Sequence, residues 1–174
     1  MKKNNRKALL VFCAITFCVA IFVAGCMDKD RSGSTIDEPE LTVDYLSGEY
    51  AQQLLRDDAA CIYGTIEVTV AEDGTAMIKI ASKQYVEDAS KPNGYYIADR
   101  NLEYDYPLSF QARATFLSGG TSIAKVMTAD EFVSAVRQDF EEYGASNPEY
   151  QKYKLYDIYI INDQIELLIA RYLP

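Results

Sequence analysis

Asp99, Asn101, Glu103 and Asp105 set four oxygen-bearing side chains at every second position, the opening pattern of a calcium loop. Hard cations are held by such donors. A calcium loop also asks for glycine at its sixth position and glutamate at its twelfth. Tyr104 stands at the sixth and no glutamate at the twelfth. Read as a strand, the same spacing puts all four side chains on one exposed face. Asp99, Glu103 and Asp105 are also the group to test for carboxylate chemistry, since a glycosidase needs two carboxylates about 5–10 Å apart.

Other chemistries fail on composition. The chain has no histidine, which excludes Ser-His and Cys-His nucleophiles and every histidine-containing zinc site. Ser122-Ile-Ala-Lys125 matches Ser-x-x-Lys, yet no Ser-x-Asn or Lys-Thr-Gly partner follows. Gly119-Gly120-Thr121 lacks the spacing and lysine of a phosphate loop. No catalytic residue is assigned, and no cofactor is implied.

Tyrosine is the other unusual resource. The chain has 14, with no tryptophan. Tyr95, Tyr96, Tyr104 and Tyr106 gather in one region, and Tyr150, Tyr153, Tyr156, Tyr159 and Tyr172 in another. Tyrosine joins apolar area to a polar tip, so the first group is a candidate surface for a protein, peptide or glycan. Aromatics also favour strands, where they pack cores and rims.

The N-terminus is a targeting segment. Lys2, Lys3, Arg6 and Lys7 precede an uncharged run over 8–22, and Val23-Ala24-Gly25-Cys26 closes it. These residues resemble the lipobox of bacterial lipoprotein signal peptides. The resemblance implies cleavage between Gly25 and Cys26, a lipid (palmitate among its chains) on the Cys26 thiol, and a domain held at the extracytoplasmic face of the cell membrane. An uncleaved membrane helix gives the same topology, because ~18 apolar residues can span a bilayer. Several acyl chains at ~0.8 kcal/mol per buried CH₂ make a durable anchor.

Cleavage leaves 149 residues and moves the formal charge from −9 to −13. That size suits one domain. That charge argues against nucleic-acid binding, which rests on neutralising phosphates with lysine and arginine. Of the four cysteines, Cys13 and Cys18 leave with the signal and Cys26 is lipidated. Cys61 remains, in the apolar run Ala59-Ala60-Cys61-Ile62, and reads as a small buried hydrophobe.

The organisation is then 1–25 signal, 26–44 lipidated cysteine and polar tether, and 45–174 one β-rich domain. Leu46, Tyr50, Leu54 and the stretch Ala51 to Arg56 suit a short N-terminal helix whose start is weakened by Gly48. Ile62, Gly64, Ile66, Val68 and Val70 alternate with polar residues, and Glu72-Asp73-Gly74 turns the chain into a partner strand over 76–80. Shorter strands follow at 95–97, 102–108 and 110–117, with Pro107 marking an edge or bulge. Thr128-Ala-Asp-Glu131 is a capping box for a helix running to Tyr143, stopped by a left-handed Gly144, with Asp139, Glu141 and Glu142 on its solvated face. Residues 155–161 and 164–172 form a last hairpin about Asn162-Asp163.

The fold class is α+β. The order β-β-β-α-β-β after a short helix predicts a small antiparallel β-barrel like the oligonucleotide/oligosaccharide-binding (OB) fold. The alternative is an open twisted antiparallel sheet with the helix packed on one face. Asn93-Gly94-Tyr95-Tyr96-Ile97, Tyr106-Pro107-Leu108-Ser109, Thr128 to Phe132 and Tyr172-Leu173-Pro174 also resemble a loose group of uncharacterised domains in secreted and lipid-anchored bacterial proteins. That resemblance implies a folded unit and transfers no site. The expected function is a surface-tethered binding or scaffolding domain of the cell envelope. The alternative is a small carboxylate-dependent envelope hydrolase or a calcium-binding domain.

Overall fold

The first strand, β1 (Ala60–Val70), turns at Gly74, whose φ of +89° suits glycine, into β2 (Ala76–Glu87). Thr75 N–H donates to the Asp73 carboxylate at 2.9 Å, fixing the turn locally. The pair is antiparallel, with Ile66 opposite Ile80 and Val68 opposite Ile78, as alternation predicts. A computed structural model describes residues 41–119, 121–147, 150 and 154–172, which belong to the compact unit Glu40–Pro174. The expected lipobox with Cys26, the expected tether to residue 40, Tyr153 and the terminal Leu173-Pro174 lie outside the described residues.

The N-terminal helix, α1, starts earlier than expected. It spans 43–56, with a π-helical turn at Leu46–Tyr50, and takes Val43 and Asp44 from the expected tether. Thr42 supplies the reason, since its hydroxyl accepts from Tyr45 N–H at 3.1 Å as an N-cap. Gly48 lies inside the π-helical turn.

The three short strands expected over 95–117 are one strand, β3 (Tyr95–Phe116). Its interruptions are absorbed as irregularities. The β2–β3 register shifts between Ala81 and Lys83, beside Asn101 at φ +54°, and the β3–β6 register shifts after Pro107, between Leu108 and Arg113. A short strand that the sequence did not announce, β4 (Lys125–Thr128), pairs with the end of β3.

Thr128 then caps α2 (Ala129–Asp139), with both halves of the capping box formed. The helix ends differently from expectation. Phe140–Gly144 is a π-helical turn closed by Ala145 N–H on the Phe140 carbonyl at 2.8 Å, and Gly144 is not left-handed. Glycine is needed there for space, because a Cβ would stand 2.3 Å from the Phe140 ring.

The last hairpin joins β5 (Leu155–Ile161) to β6 (Gln164–Arg171) through Asn162 and Asp163, both at positive φ. The sheet has six strands in the order β2-β1-β5-β6-β3-β4, and β2 also pairs with β3. The β3–β6 pairing is parallel and the others antiparallel. Pairings therefore run from β1 through β2, β3, β6 and β5 back to β1. The fold is α+β.

The main core fills that ring, with Ile78, Ile80, Phe132, Ile158, Ile165 and Leu168 buried together. Phe132 meets Phe116 and Tyr156 edge to face, at 6.1 and 5.9 Å. Leu46, Ala51 and Leu54 of α1 cover Tyr159, Leu167 and Ile169 in a second cluster. Among the described residues no helix is long and apolar enough to cross a membrane.

Candidate functional site

A cleft of about 820 Å³ opens where the far end of the β2–β3 hairpin faces the end of β6. One wall carries Lys83, Tyr95, Ile97 and Asp99, and the other Leu155, Ala170, Arg171 and Tyr172. Leu117, Gly119, Tyr150 and Lys154 line its base, above Tyr156.

The base is organised by one carboxylate. Asp139 Oδ1 accepts from Gly119 N–H at 3.1 Å and from Tyr150 O–H at 3.3 Å, while Oδ2 accepts from Lys154 Nζ. Lys154 Nζ also donates to the Leu117 carbonyl at 3.2 Å and lies 4.5 and 4.9 Å from the ring centres of Phe116 and Tyr150. The knot ties α2, the segment after β3 and the approach to β5 together. Burial, then the Asp139 charge, pushes the Tyr150 phenol up to about 12. Burial followed by Asp139 also raises the Tyr156 phenol. A Cβ at Gly119 would stand 2.8 Å from the Tyr143 ring, so glycine lets the loop close here.

A smaller pocket of about 350 Å³ shares Arg171 and Tyr172 with the cleft and adds Tyr63, Tyr85 and Asp157. Arg171 pairs with Asp157 at 2.5 Å. Tyr85 stacks on Tyr95 with ring centres 4.9 Å apart, joining the two hollows. Burial, then Asp157, raises the Tyr63 phenol.

The expected tyrosine surface is divided. Tyr95 lines the cleft, and Tyr96 is exposed with Lys91 Nζ 5.7 Å from its ring. Tyr104 and Tyr106 are half-buried against the main core, because they sit opposite the inward Ile80 and Ile78. Tyr150, Tyr156 and Tyr172, from the second group, line the cleft instead.

The oxygen donors Asp99, Asn101, Glu103 and Asp105 are exposed along β3. Asp99 pairs with Lys83 at 2.6 Å and Glu103 with Lys79 at 3.0 Å, and Asp105 sits opposite Lys79. The Lys83 ammonium, then Asn101 N–H, holds the Asp99 carboxyl below its usual range. Among the described residues no three histidine, cysteine, aspartate or glutamate side chains converge on a metal position.

Two further expectations are corrected. Asp139 is buried, because it lies three residues past Val136 and seven past Phe132, on the helix face that packs inward. That spacing was the available signal. Cys61 is exposed. It falls on the outward side of β1, opposite Tyr159, where α1 covers the sheet only in part. Partial burial still pushes its thiol up. No family model, curated protein or solved structure matches this chain.

Proposed function

We propose that the chain is a bacterial lipoprotein, anchored to the cell membrane through the lipid on Cys26, whose OB-like barrel displays the cleft to a ligand of the envelope. The ligand class is a protein, peptide or glycan rather than nucleic acid, in keeping with the acidic balance of the chain. The cycle of pairings from β1 through β2, β3, β6 and β5 favours a closed barrel over an open sheet.

The observation that carries the binding reading is the cleft itself. It has the size of a ligand site and combines tyrosine rings with a few convergent polar groups. Lys83, Lys154 and Arg171 are each neutralised by their own carboxylate, so the walls offer hydrogen bonds and aromatic faces without a strong net field.

A photo-crosslinking side chain placed at Tyr95 or Tyr172 in intact cells tests it, with Leu55, exposed on α1, as the control position. Adducts at Tyr95 and Tyr172 and none at Leu55 are expected. Equal labelling at all three, or none at the cleft, removes the binding reading. A Cys26→Ala variant tests the anchor: unchanged mature mass and membrane attachment would remove it.

A further inference from the structure

The β1–β2 ladder stops at Gly64 opposite Ser82, although β2 continues to Glu87 and β1 begins at Ala60. Beyond that point the two strands part. β2 residues 83–87 pair with β3 alone, from Lys83 opposite Asp99 to Glu87 opposite Tyr95. β1 residues 60–63 pair with β5 alone, from Ala60 opposite Ile160 to Tyr63 opposite Asp157. Each strand therefore turns a short edge toward the other that no strand of the described residues fills. Gly64 stands at the parting, where a Cβ would come within 2.5 Å of the Ala81 carbonyl oxygen. Only glycine lets β1 press against β2 there before leaving it.

The smaller pocket sits in this fork, with Tyr63 on the β1 arm and Tyr85 on the β2 arm. Tyr85 is 46% exposed, Tyr172 is 60% exposed, and the Arg171–Asp157 pair forms the polar side. An unpaired strand edge presents a row of backbone donors and acceptors at strand spacing, and an extended polypeptide is the ligand that matches that row. A glycan has no such repeat. The pocket beside the edge takes one side chain of the added strand, and three tyrosine rings suit an apolar or aromatic one.

We infer that the fork binds an extended polypeptide segment of a partner protein by strand addition to β2 residues 83–87, with one apolar or aromatic side chain seated among Tyr63, Tyr85 and Tyr172. This assignment rests on the reading of the cleft as the binding site of the domain and names the partner class for it.

The test uses the full chain purified in detergent, with a displayed library of random dodecamer peptides as probe. The most enriched peptide is then synthesised with N-methyl groups on one or the other alternate set of its amides. Methylating the set that faces β2 should weaken binding at least about tenfold while the other set is neutral, since it removes the backbone hydrogen bonds to the β2 edge. Amide exchange of β2 residues 83–87 should slow on binding, and Tyr85→Ala should cost about tenfold in affinity. Binding indifferent to both methylations, or mapping to 117–121 and not to 83–87, overturns strand addition and leaves the cleft reading standing. A library that yields no binder overturns it too. Absence of cleft adducts in cells removes the broader reading separately.

Discussion

Lys83–Asp99 on the β2–β3 hairpin and Lys154–Asp139 at the base of the cleft are the same chemical pair in two settings. The Asp99 side chain is 57% exposed and the Asp139 side chain 7%. Asp99 shares its charge with water although the Lys83 side chain is only 17% exposed, and a pair whose carboxylate stays hydrated contributes little beyond holding the hairpin in register. Asp139 has exchanged water for an ammonium, a backbone N–H and a phenol. Desolvation makes those bonds strong and makes their loss costly. The carboxylates most conspicuous in the sequence are thus those with the least structural consequence, and the consequential one sits among ordinary helix acids.

The sharpest break comes from Asp139→Ala. It leaves the Lys154 ammonium half-buried against Phe116 and Tyr150 with no counter-charge, at a cost of about 3–5 kcal/mol in urea unfolding. Replacing the pair together, Asp139→Leu with Lys154→Met, should recover most of that loss, because no unpaired charge remains. A double variant as unstable as the single one would mean that the knot holds by shape and not by charge.

Tyr150→Phe comes next, at about 1.5 kcal/mol, the low end for a hydrogen bond to a charged acceptor because the contact is 3.3 Å long. The folded-state value of this phenol lies above its ordinary 10.0, at about 12. Its contribution is therefore complete below about pH 10 and is lost as pH rises toward 12. Phenolate absorbance should show a late-titrating group of tyrosines, and the variant should remove one of them.

The exposed pair supplies the smaller effects. Asp99→Asn should leave the melting temperature at neutral pH unmoved within error, and added salt should not alter the result. Glu131 has a lowered carboxyl value in the fold, held by the Thr128 N–H and hydroxyl. Its contribution to the helix cap is present above the ordinary carboxylate range and fades as pH falls through the folded value, so the melting temperature should begin to drop below about pH 4.5. Calcium has the smallest expected effect. It must displace Lys83 and Lys79 from donors strung along a strand, so millimolar calcium should not raise the melting temperature. A clear rise would restore the calcium reading and erase the contrast between the two pairs.

Legibility in the sequence followed the range of the interaction. The Thr128–Glu131 box, the Gly74 turn and the Asn162–Asp163 turn were readable because their partners lie within a few residues. The continuity of β3 was not, since Pro107 looks like an interruption until the neighbouring strands absorb the irregularities as register shifts. Tyr95, Tyr150, Tyr156 and Tyr172 were marked in advance as tyrosine groups and Asp99 as an oxygen donor, and the cleft brings them together. Lys83, Lys154 and Arg171 carried no local signal, and neither did Tyr63 and Tyr85.

The sequence by itself determined the hairpins, the capped helix and the α+β class, because alternation, capping and turn chemistry act between residues that are already neighbours. It also carries Val23-Ala24-Gly25-Cys26, whose resemblance to a lipobox underlies the proposed anchor. Only the tertiary structure decided that β3 runs parallel to β6, that Asp139 meets Lys154 and Gly119, and that β1 leaves β2 at Gly64 to open a fork. Those contacts join segments far apart along the chain, and their free energy exists only after the core around Phe132 and Tyr156 has excluded water.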